Sequence, residues 1–399
     1  MKKTIVLGIT GGIAAFKSAQ LASNLVKRGH DVHVIMTKSA TEFIQPLTFE
    51  TLTHNRVSVD TFDRNYKYDV NHIALAQRAD VFVVAPASAN SIAKFAHGLA
   101  DDMLSTTFLA ATCPKLIAPA MNTGMLENPI TQRNIQICVD SNIKFIESGN
   151  GYLACGDVGK GRLADIEAIE DAIESLLVLE KPLTGKKVVV TAGPTVEALD
   201  PVRFITNHSS GKMGYAVAKA ARNLGAEVTL ITGPVSLREP VGLKVIKVKS
   251  AQEMFEAVDG LANEYDILVK SAAVADYRAK EVAQQKLKKS GETSLNVEFV
   301  VNHDILAHMG ARKQAHQVIC GFAMETENLA ENALGKLERK QVDLMVANSL
   351  TEESAGFNVD TNKVTLFTPE GTCQLDVMSK EALGYEIMDR LINLLKEKK

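Results

Sequence analysis

The sequence predicts an α/β fold class with two doubly wound domains that follow one another along the chain. Short apolar runs rich in β-branched residues alternate with helical patterns throughout the 399 residues. The same opening, an apolar run that breaks at glycine and threonine and continues into a helix, occurs at residues 3–17 and again at residues 186–221. Alternation of this kind is typical of a parallel sheet covered by helices on both faces.

Nearly continuous apolar runs mark the strand candidates of the first half. They are residues 4–8, 32–36, 81–85, 115–118 and 143–146. After the first run, Ala14, Ser18, Leu21 and Leu25 recur on one face of a helix. These features predict a Rossmann-like, flavodoxin-like domain with a mostly parallel sheet, whose ligands bind at the carboxyl ends of the strands.

The second half repeats the alternation and predicts another Rossmann-like domain. Its strand candidates are residues 188–191, 228–232, 244–248, 267–270, 318–321, 344–347 and 364–367. Residues 294–300 alternate in polarity and are expected to lie outside the main sheet. Ser379 is expected to cap the final helix.

Two segments of unusual composition separate these patterns. Residues 147–163 contain five glycines and predict a mobile loop, after which Asp165 is expected to cap a helix. Residues 179–187 contain a proline and a glycine, as linkers do. We therefore expect domains at residues 1–180 and 181–399.

Composition argues against several classes of partner. A net charge of −3 from 44 basic and 47 acidic residues, with no tryptophan, favours neither nucleic acid nor an anionic membrane. Five cysteines without a CxxC pair fit a reducing compartment. The N-terminal apolar run is interrupted by Gly8, Gly11 and Gly12, unlike a signal peptide, and no run approaches membrane-spanning length. A cytoplasmic location is expected.

Polar motifs follow the predicted strands of the first half. The turn at residues 10–12 lacks the GxGxxG pattern and indicates either a phosphate site or only a tight turn. Thr37 and Ser39 stand where a dinucleotide-binding enzyme would place an acidic residue, and their hydroxyls suit a phosphate. Ser88 and Asn90 follow the third strand, and they either contact the edge of a flat ring or cap a helix.

Two other side chains in this half have reactive groups. His72 lies at a predicted helix start, where a lone histidine is more often structural than catalytic. Cys155 lies in the glycine-rich segment. It is either an incidental thiol or a functional one, since structural cysteines are usually buried.

The motifs of the first half, taken together, indicate a family. The chain contains GITGGIAAFK, MTKSA, NHIALA, APASAN and PAMN in this order within about 120 residues. This set resembles the homo-oligomeric flavin-containing cysteine decarboxylases, and phosphopantothenoylcysteine decarboxylases in particular. The resemblance implies that His72 is the active-site histidine, that Asn122 binds the substrate carboxylate and that Cys155 supplies a proton. It also implies an FMN site made of Gly11, Ile13, Thr37, Ser39, Phe43, Ser88, Ala89 and Asn90.

The chemistry of that family explains these residue types. A cysteine amide loses CO₂ only when the resulting negative charge can be delocalised. Oxidation of its thiol by the flavin makes this delocalisation possible. The same flavin later returns the electrons, so no nicotinamide is needed. A mobile thiol can then protonate carbon.

Basic and glycine-rich motifs mark the second half. Residues 190–214 read VTAGPTVEALDPVRFITNHSSGKMG, in which Arg203 and Lys212 accompany glycines that allow close approach to phosphate; this is not a Walker A loop. Residues 270–277 read KSAAVADY at a strand end. Residues 285–290 read QKLKKS, which is either a solvated basic loop or an anion-binding segment.

These motifs resemble the CTP-using bacterial phosphopantothenate–cysteine ligases from about residue 185 to near the C-terminus. The family joins such a ligase behind such a decarboxylase, in a homo-oligomer of trimeric decarboxylase units joined through ligase dimers. The resemblance therefore implies coenzyme A biosynthesis from 4′-phosphopantothenate, cysteine and CTP with Mg²⁺.

The ligase resemblance also implies individual roles. Asn207 is expected to contact the acyl-cytidylate, Arg203 to bind substrate, and Lys286 to convert the acyl-cytidylate to product. Nucleotide-site positions are Ala272, Ala273, Asp276, Lys286, His303, Asp304, Ile305, Leu306, Phe322, Lys336 and Lys340. His303 departs from the family, which commonly has proline there.

Two other functions are compatible with this fold class. One is a flavin- or nicotinamide-dependent oxidoreductase that uses both domains on one cofactor. This function is disfavoured, because neither half has a GxGxxG motif followed by an acidic residue that would bind a ribose. The other is a non-catalytic flavin-binding regulator, which the retention of His72, Asn122 and Cys155 disfavours.

Overall fold

The computed structural model describes residues 2–62, 71–152, 156, 158–288, 295–325, 329–349 and 359–398. The chain forms two compact units, Met1–Leu179 and Glu180–Lys399. Each is an α/β unit with its own sheet and hydrophobic core.

The N-terminal unit is built on a five-stranded parallel sheet of order β2-β1-β3-β4-β5. Its strands are β1 (Thr4–Ile9), β2 (Asp31–Met36), β3 (Val81–Ala87), β4 (Lys115–Pro119) and β5 (Lys144–Phe145). All five predicted strands are present, and their order is that of flavodoxin-like sheets, so the predicted fold class is confirmed.

Nine helices are described in this unit. They are α1 (Ala15–Lys27), α2 (Lys38–Thr41), α3 (Pro46–Thr53), α4 (Asn71–Arg78), α5 (Ala89–His97), α6 (Met103–Ala110), α7 (Thr123–Glu127), α8 (Pro129–Asp140) and α9 (Ile166–Leu177). In α1, Ser18, Leu21 and Leu25 are buried as predicted. The Ser18 hydroxyl donates to the carbonyl of Ala85 at 2.7 Å, which satisfies this polar group inside the core.

The glycine-rich segment departs from the prediction, because part of it is ordered into an antiparallel hairpin. Strands β6 (Gly149–Tyr152) and β7 (Val158–Arg162) pair with each other and not with the main sheet. Asp165 does occupy the N-cap position of α9, but its side chain makes no capping hydrogen bond.

The C-terminal unit is built on an eight-stranded sheet of order β12-β11-β8-β13-β16-β17-β19-β20. Its strands are β8 (Lys187–Ala192), β11 (Glu227–Thr232), β12 (Lys244–Lys247), β13 (Ile267–Lys270), β16 (Val318–Glu325), β17 (Leu344–Ser349), β19 (Thr365–Thr368) and β20 (Gly371–Gln374). The first six are parallel; β19 pairs antiparallel with β17, and β20 pairs antiparallel with β19. The six parallel strands follow the Rossmann order, so the second predicted sheet is also confirmed.

Short strand pairs lie outside this sheet. They are β9 (Val196–Ala198) with β10 (Phe204–Thr206), β14 (Tyr277–Ala279) with β15 (Phe299–Val301), and β18 (Thr361–Asn362) with β21 (Met378–Ser379). The alternating segment 294–300 was expected outside the main sheet, and β15 lies there; Ser294 is outside the described residues.

Five helices lie in the described part of the C-terminal unit: α10 (Lys212–Asn223), α11 (Ala251–Asp259), α12 (Ile305–Ala311), α13 (Leu329–Arg339) and α14 (Lys380–Glu397). Ser379 caps α14 as predicted, because its hydroxyl oxygen accepts from the N–H of Ala382 at 3.1 Å. Within the described ranges, no helix is both long and apolar enough to cross a membrane.

Helices α10 and α14 pack so closely that a glycine is needed at their contact. A Cβ atom on Gly384 would lie 2.9 Å from the carbonyl oxygen of Ala216 and 3.2 Å from the amide nitrogen of Val217. Both are backbone atoms, which cannot move aside as a side chain can. In contrast, a Cβ on Gly335 of α13 would meet nothing nearer than the tip of the Arg339 side chain, 4.0 Å away.

We expect Gly384→Ala to lower the free energy of unfolding of the C-terminal unit by about 1–3 kcal/mol through overpacking. The matched control, Gly335→Ala, should be neutral or stabilising by up to about 1 kcal/mol, since alanine favours an open helix position. Urea denaturation followed by circular dichroism measures both. Equal stabilities of the two variants would contradict the close packing.

Candidate functional sites

The N-terminal unit has a cavity of about 460 Å³ at the carboxyl ends of β1, β3 and β4. It is lined by Gly11, Gly12, Ile13, Ala14, Phe16, Lys17, Pro86, Ser88, Ala89, Ala120, Met121, Asn122, Met125, Tyr152, Gly161, Arg162 and Leu163. Most of these contribute apolar atoms. Five of the residues predicted for the site therefore share one cavity: Gly11, Ile13, Ser88, Ala89 and Asn122.

Hydrogen bonds of Thr10 hold the two strand ends of this cavity together. Its hydroxyl donates to the carbonyl of Pro86 at 2.9 Å and accepts from the N–H of Ser88 at 2.9 Å. Thr10 is buried, so both bonds are shielded from water. The end of β1 is thereby fixed to the end of β3, where the order of the sheet reverses and ligands of such folds bind.

Gly11 lies against the segment that follows β2. A Cβ atom at this position would come within 2.5 Å of Cβ of Ser39, so only glycine fits. Thr37 caps the short helix α2, accepting from the N–H of Ala40 at 3.2 Å. Thr37 and Ser39 thus adjoin the Gly11 turn, although neither belongs to the cavity lining.

Two of the predicted ligand-binding residues also cap helices. Ser88 accepts from the N–H of Ser91 at 3.3 Å and begins α5. Asn122 accepts from the N–H of Gly124 at 2.8 Å and begins α7. The helix-cap interpretation of Ser88 is therefore confirmed; Ser88 also lies on the cavity wall, and its contact with a flat ring stays a prediction.

The β6–β7 hairpin docks on the end of β4 through its backbone. The N–H of Met121 donates to the carbonyl of Gly161 at 2.9 Å, and the hydroxyl of Thr123 donates to the carbonyl of Lys160 at 2.7 Å. Gly161 has φ of +125°, and a Cβ there would overlap the carbonyl oxygen of Met121. Docking brings Tyr152 and Arg162 to the cavity. Cys155 lies outside the described residues.

Two cations at this cavity were not found from the sequence. Lys17 of α1 and Arg162 of β7 both line it. Burial and the charge of Arg162 lower the pKa of Lys17, and Asp165 partly opposes this. Lys17 is the last residue of the first motif, GITGGIAAFK, but only the docking of the hairpin reveals that Arg162 is its neighbour.

Three other predicted residues lie away from the cavity lining. His72 is the second residue of α4 and is half-buried. Phe43 is exposed after α2, and Asn90 is exposed in the first turn of α5. The described cavity therefore brings together only part of the predicted set.

The C-terminal unit has a pocket of about 320 Å³ at the carboxyl ends of β13 and β16 and at the N-terminus of α10. It is lined by Asn207, Ser209, Ser210, Gly211, Lys212, Met213, Gly214, Lys270, Ser271, Ala272, Ala273, Val274, Asp276, Phe322, Ala323, Met324, Asn348, Asn362 and Lys380. Five predicted residues meet here: Asn207, Ala272, Ala273, Asp276 and Phe322.

The N-terminus of α10 is held against the end of β8 by glycines. Gly211 has φ of +78°, and a Cβ there would lie 2.8 Å from the Val235 side chain. A Cβ on Gly214 would lie 2.9 Å from the carbonyl oxygen of Thr191. The first turn of α10 lines the pocket, and the unpaired N–H groups and positive dipole end of a helix favour an anion there.

Asp200 holds the predicted substrate-binding residue Arg203, and no sequence motif pointed to Asp200. Its carboxylate pairs with Arg203 at 3.0 Å and accepts from the N–H of Leu287 at 3.1 Å. Arg203 in turn donates to the carbonyl of Leu287 at 2.8 Å. Desolvation opposes the charged form, but N–H groups of Val202, Leu287 and Arg203 outweigh it and lower the pKa of Asp200. The segment that carries Lys286 is thereby tied to residues 200–203.

The other predicted nucleotide residues have distinct surroundings. Asp304 caps α12 and pairs with Lys340 at 3.0 Å. His303 stacks on the ring of Phe255, with centroids 4.7 Å apart. Ile305 and Leu306 are buried in the core, so their side chains serve packing.

Lysines from distant parts of the chain converge on this pocket. Lys212 pairs with Asp360 at 2.7 Å, and Lys380 donates to the carbonyl of Val359 at 2.6 Å. Across the described part of the chain, no group of three or more His, Cys, Asp or Glu side chains could hold a metal ion.

Comparisons with known proteins agree with a two-part enzyme. Residues 1–178 match the Flavoprotein family, and residues 183–395 match the DNA/pantothenate metabolism flavoprotein C-terminal domain. The fold and these family matches thus define a flavoprotein domain followed by a second α/β domain. The chain belongs to the family of coenzyme A biosynthesis bifunctional proteins called CoaBC, which confirms the resemblance seen in the motifs.

The relatives match nearly the whole chain. The CoaBC protein of Bacillus subtilis (strain 168) is 47% identical, covering 99% of this chain and 98% of the relative. That of Escherichia coli (strain K12) is 41% identical, with coverage of 99% and 98%. Among solved structures, a CoaBC C-terminal domain is 39% identical over 55% of this chain and 100% of that chain, with a TM-score of 0.47.

We expect Gly161→Ala to undock the β6–β7 hairpin, because the added Cβ overlaps backbone and the left-handed φ is strained for alanine. Trypsin should then cleave faster after Lys160 and Arg162. Gly149→Ala in the same hairpin is the matched control, since its Cβ would meet nothing closer than 3.6 Å. Identical cleavage rates of the two variants would show that the hairpin does not depend on this contact.

Proposed function

We propose that the two units catalyse consecutive steps of coenzyme A biosynthesis. The C-terminal unit joins cysteine to 4′-phosphopantothenate with CTP, and the N-terminal unit decarboxylates the product to 4′-phosphopantetheine with FMN. The observation that carries this proposal is the full-length relationship to CoaBC proteins, at 47% identity over 99% of the chain. The separate cavity in each unit supports it.

The residues of the N-terminal cavity fit a flavin. The wall is mainly apolar, as a flat ring requires, and the close contact of Gly11 with Ser39 holds the loops after β1 and β2 together beside it. Gly11, Ile13, Ser88 and Ala89 would hold FMN, with Thr37 and Ser39 beside them. When bound, FMN would supply two-electron exchange with the substrate thiol.

The protein's own groups would then bind and protonate the substrate. Asn122 would hold the carboxylate that leaves as CO₂, Cys155 would supply a proton to carbon, and His72 would act as a base or orient the substrate. Lys17 and Arg162 would bind the phosphate end of the substrate, since two neighbouring cations on one cavity wall favour a doubly charged anion.

Ligation requires an activated carboxylate, because a carboxylate at neutral pH does not accept an amine. Attack of the pantothenate carboxylate on the α-phosphate of CTP forms a mixed anhydride and releases pyrophosphate. The amine of cysteine then attacks the carbonyl carbon and displaces CMP. Asn207 would contact the anhydride, Arg203 would bind substrate, and Lys286 would stabilise charge during the second step.

Triphosphate charge would be neutralised by the pocket and by Mg²⁺. The first turn of α10, with Lys336 and Lys340 nearby, would bind phosphate oxygens. Mg²⁺ usually keeps waters and binds mainly through substrate phosphates, so a dedicated protein cage is not required.

We also propose a cytoplasmic homo-oligomer. Free thiols at Cys138 and Cys320 are buried, which suits a reducing compartment. Large apolar side chains at the N-terminal cavity are exposed, including Ile13 at 58% and Tyr152 at 72%. A second copy of the chain would cover such a surface.

One incubation tests the proposal as a whole. The full-length protein is mixed with 4′-phosphopantothenate, cysteine, CTP and Mg²⁺, products are followed by mass spectrometry, and absorbance reports bound flavin. We expect 4′-phosphopantetheine, CMP and pyrophosphate. Turnover with NAD(P)H and no use of CTP would instead support an oxidoreductase, and flavin binding without either reaction would support a regulator.

His72→Asn should lower decarboxylation by about 100-fold or more, the contribution typical of an acid–base group. Ligation should continue, because its residues lie in the other unit, and phosphopantothenoylcysteine should accumulate in the mass spectrum. Ligation thus serves as the internal control. Loss of both activities in folded protein would count against separate sites.

Lys286→Gln should slow formation of phosphopantothenoylcysteine by about 100-fold, as loss of one transition-state donor does. Pyrophosphate release or a bound acyl-cytidylate should persist, since activation precedes the step that Lys286 serves. Lys288→Gln, an exposed neighbour, is the control and should retain most of the activity. Unchanged ligation by Lys286→Gln would refute the assignment.

A further inference from the structure

Lys270 is a lysine of the C-terminal pocket with no role in the function argued so far. It is the last residue of β13, it is only partly accessible, and it lines the pocket together with the first turn of α10. Its ammonium group donates to the carbonyl of Ala272 at 3.1 Å. Among the described residues, it makes no ion pair.

The surroundings of Lys270 penalise its positive charge. Burial, with the neighbouring charges of Lys340 just after α13 and Lys336 on α13, lowers the pKa of Lys270 to about 8. Asp304 at the start of α12 and Asp276 after β13 act in the opposite direction but do not compensate. Asp304 is already paired with Lys340 at 3.0 Å.

A cation in such a place is stabilised when an anion enters the pocket. The first turn of α10 already favours phosphate, and Lys212 lines the same space. We propose that Lys270 is a nucleotide-binding residue whose ammonium group contacts the polyphosphate of CTP. This inference rests on the proposed ligase function and adds a phosphate ligand to that site.

Because the pKa of Lys270 is lowered, the affinity for CTP should depend on pH. Polyphosphate binds the protonated lysine, so binding is fully supported only well below pH 8 and weakens as pH rises through the folded pKa of about 8. If the bound lysine stays protonated, the affinity for CTP should fall about eightfold between pH 7.5 and pH 9. Lys340, Lys336, Asp304 and Asp276 are the charged groups that face it.

The experiment is titration calorimetry of the full-length protein with CTP and Mg²⁺, without phosphopantothenate so that no turnover occurs. Lys270→Met should raise the Kd for CTP by about tenfold or more, as loss of a charged hydrogen bond does, and should flatten the pH profile. Lys270→Arg should restore affinity at pH 9, since arginine stays charged. CMP binding should change much less than CTP binding.

Controls separate charge from fold. Lys244→Met removes an exposed lysine at the amino end of β12, far from the carboxyl edge, and should leave CTP binding and its pH profile unchanged. Thermal unfolding of each variant shows whether it folds. If Lys270→Arg does not fold, Lys270→Gln is measured beside Lys270→Met as a second neutral variant. Wild-type protein that does not bind CTP would refute the proposed function itself. Wild-type binding with equal affinity in Lys270→Met would overturn only the role of Lys270.

Discussion

Close contact between backbone segments at the carboxyl edge of each sheet is the constraint on which both sites depend. Gly11 packs against Ser39, and a Cβ on Gly233 would overlap the carbonyl oxygen of Pro194. No side chain can occupy such positions, so the loops that follow the strands lie directly on one another. The N–H groups and helix ends that these loops carry are thereby fixed before any ligand arrives, which reduces the entropic cost of binding.

The main strands could be predicted from the sequence because their apolar runs are local and nearly continuous. The glycine-rich segment 147–163 could not, since the sequence shows its glycines but not their partners. Gly161 is needed for the backbone contact with Met121, which lies about 40 residues earlier in the chain, and no local pattern encodes that contact. A high glycine content therefore indicated mobility where the structure shows tight docking.

The site was predictable to the extent that its residues follow strands. Gly11, Ser88, Asn122 and Ala272 line cavities because parallel strands bring their carboxyl ends to one edge. Residues that other elements bring to the edge were missed, among them Arg162 from a docked hairpin and Lys380 from the last helix. Asp200 was missed for a different reason, since its importance lies in bonds to Leu287 that no local pattern encodes.

The two cavities differ in electrostatics in the way that their chemistries require. The N-terminal wall is mainly apolar, with Lys17 and Arg162 as its cations, because a flavin ring needs a flat, dry surface and only the ends of its ligands carry charge. The C-terminal pocket gathers Lys212, Lys270 and Lys380 around a helix N-terminus, because phosphoryl transfer concentrates negative charge as pyrophosphate departs. A single fold class supports both reactions, since the sheet supplies only the edge and the loops supply the charge.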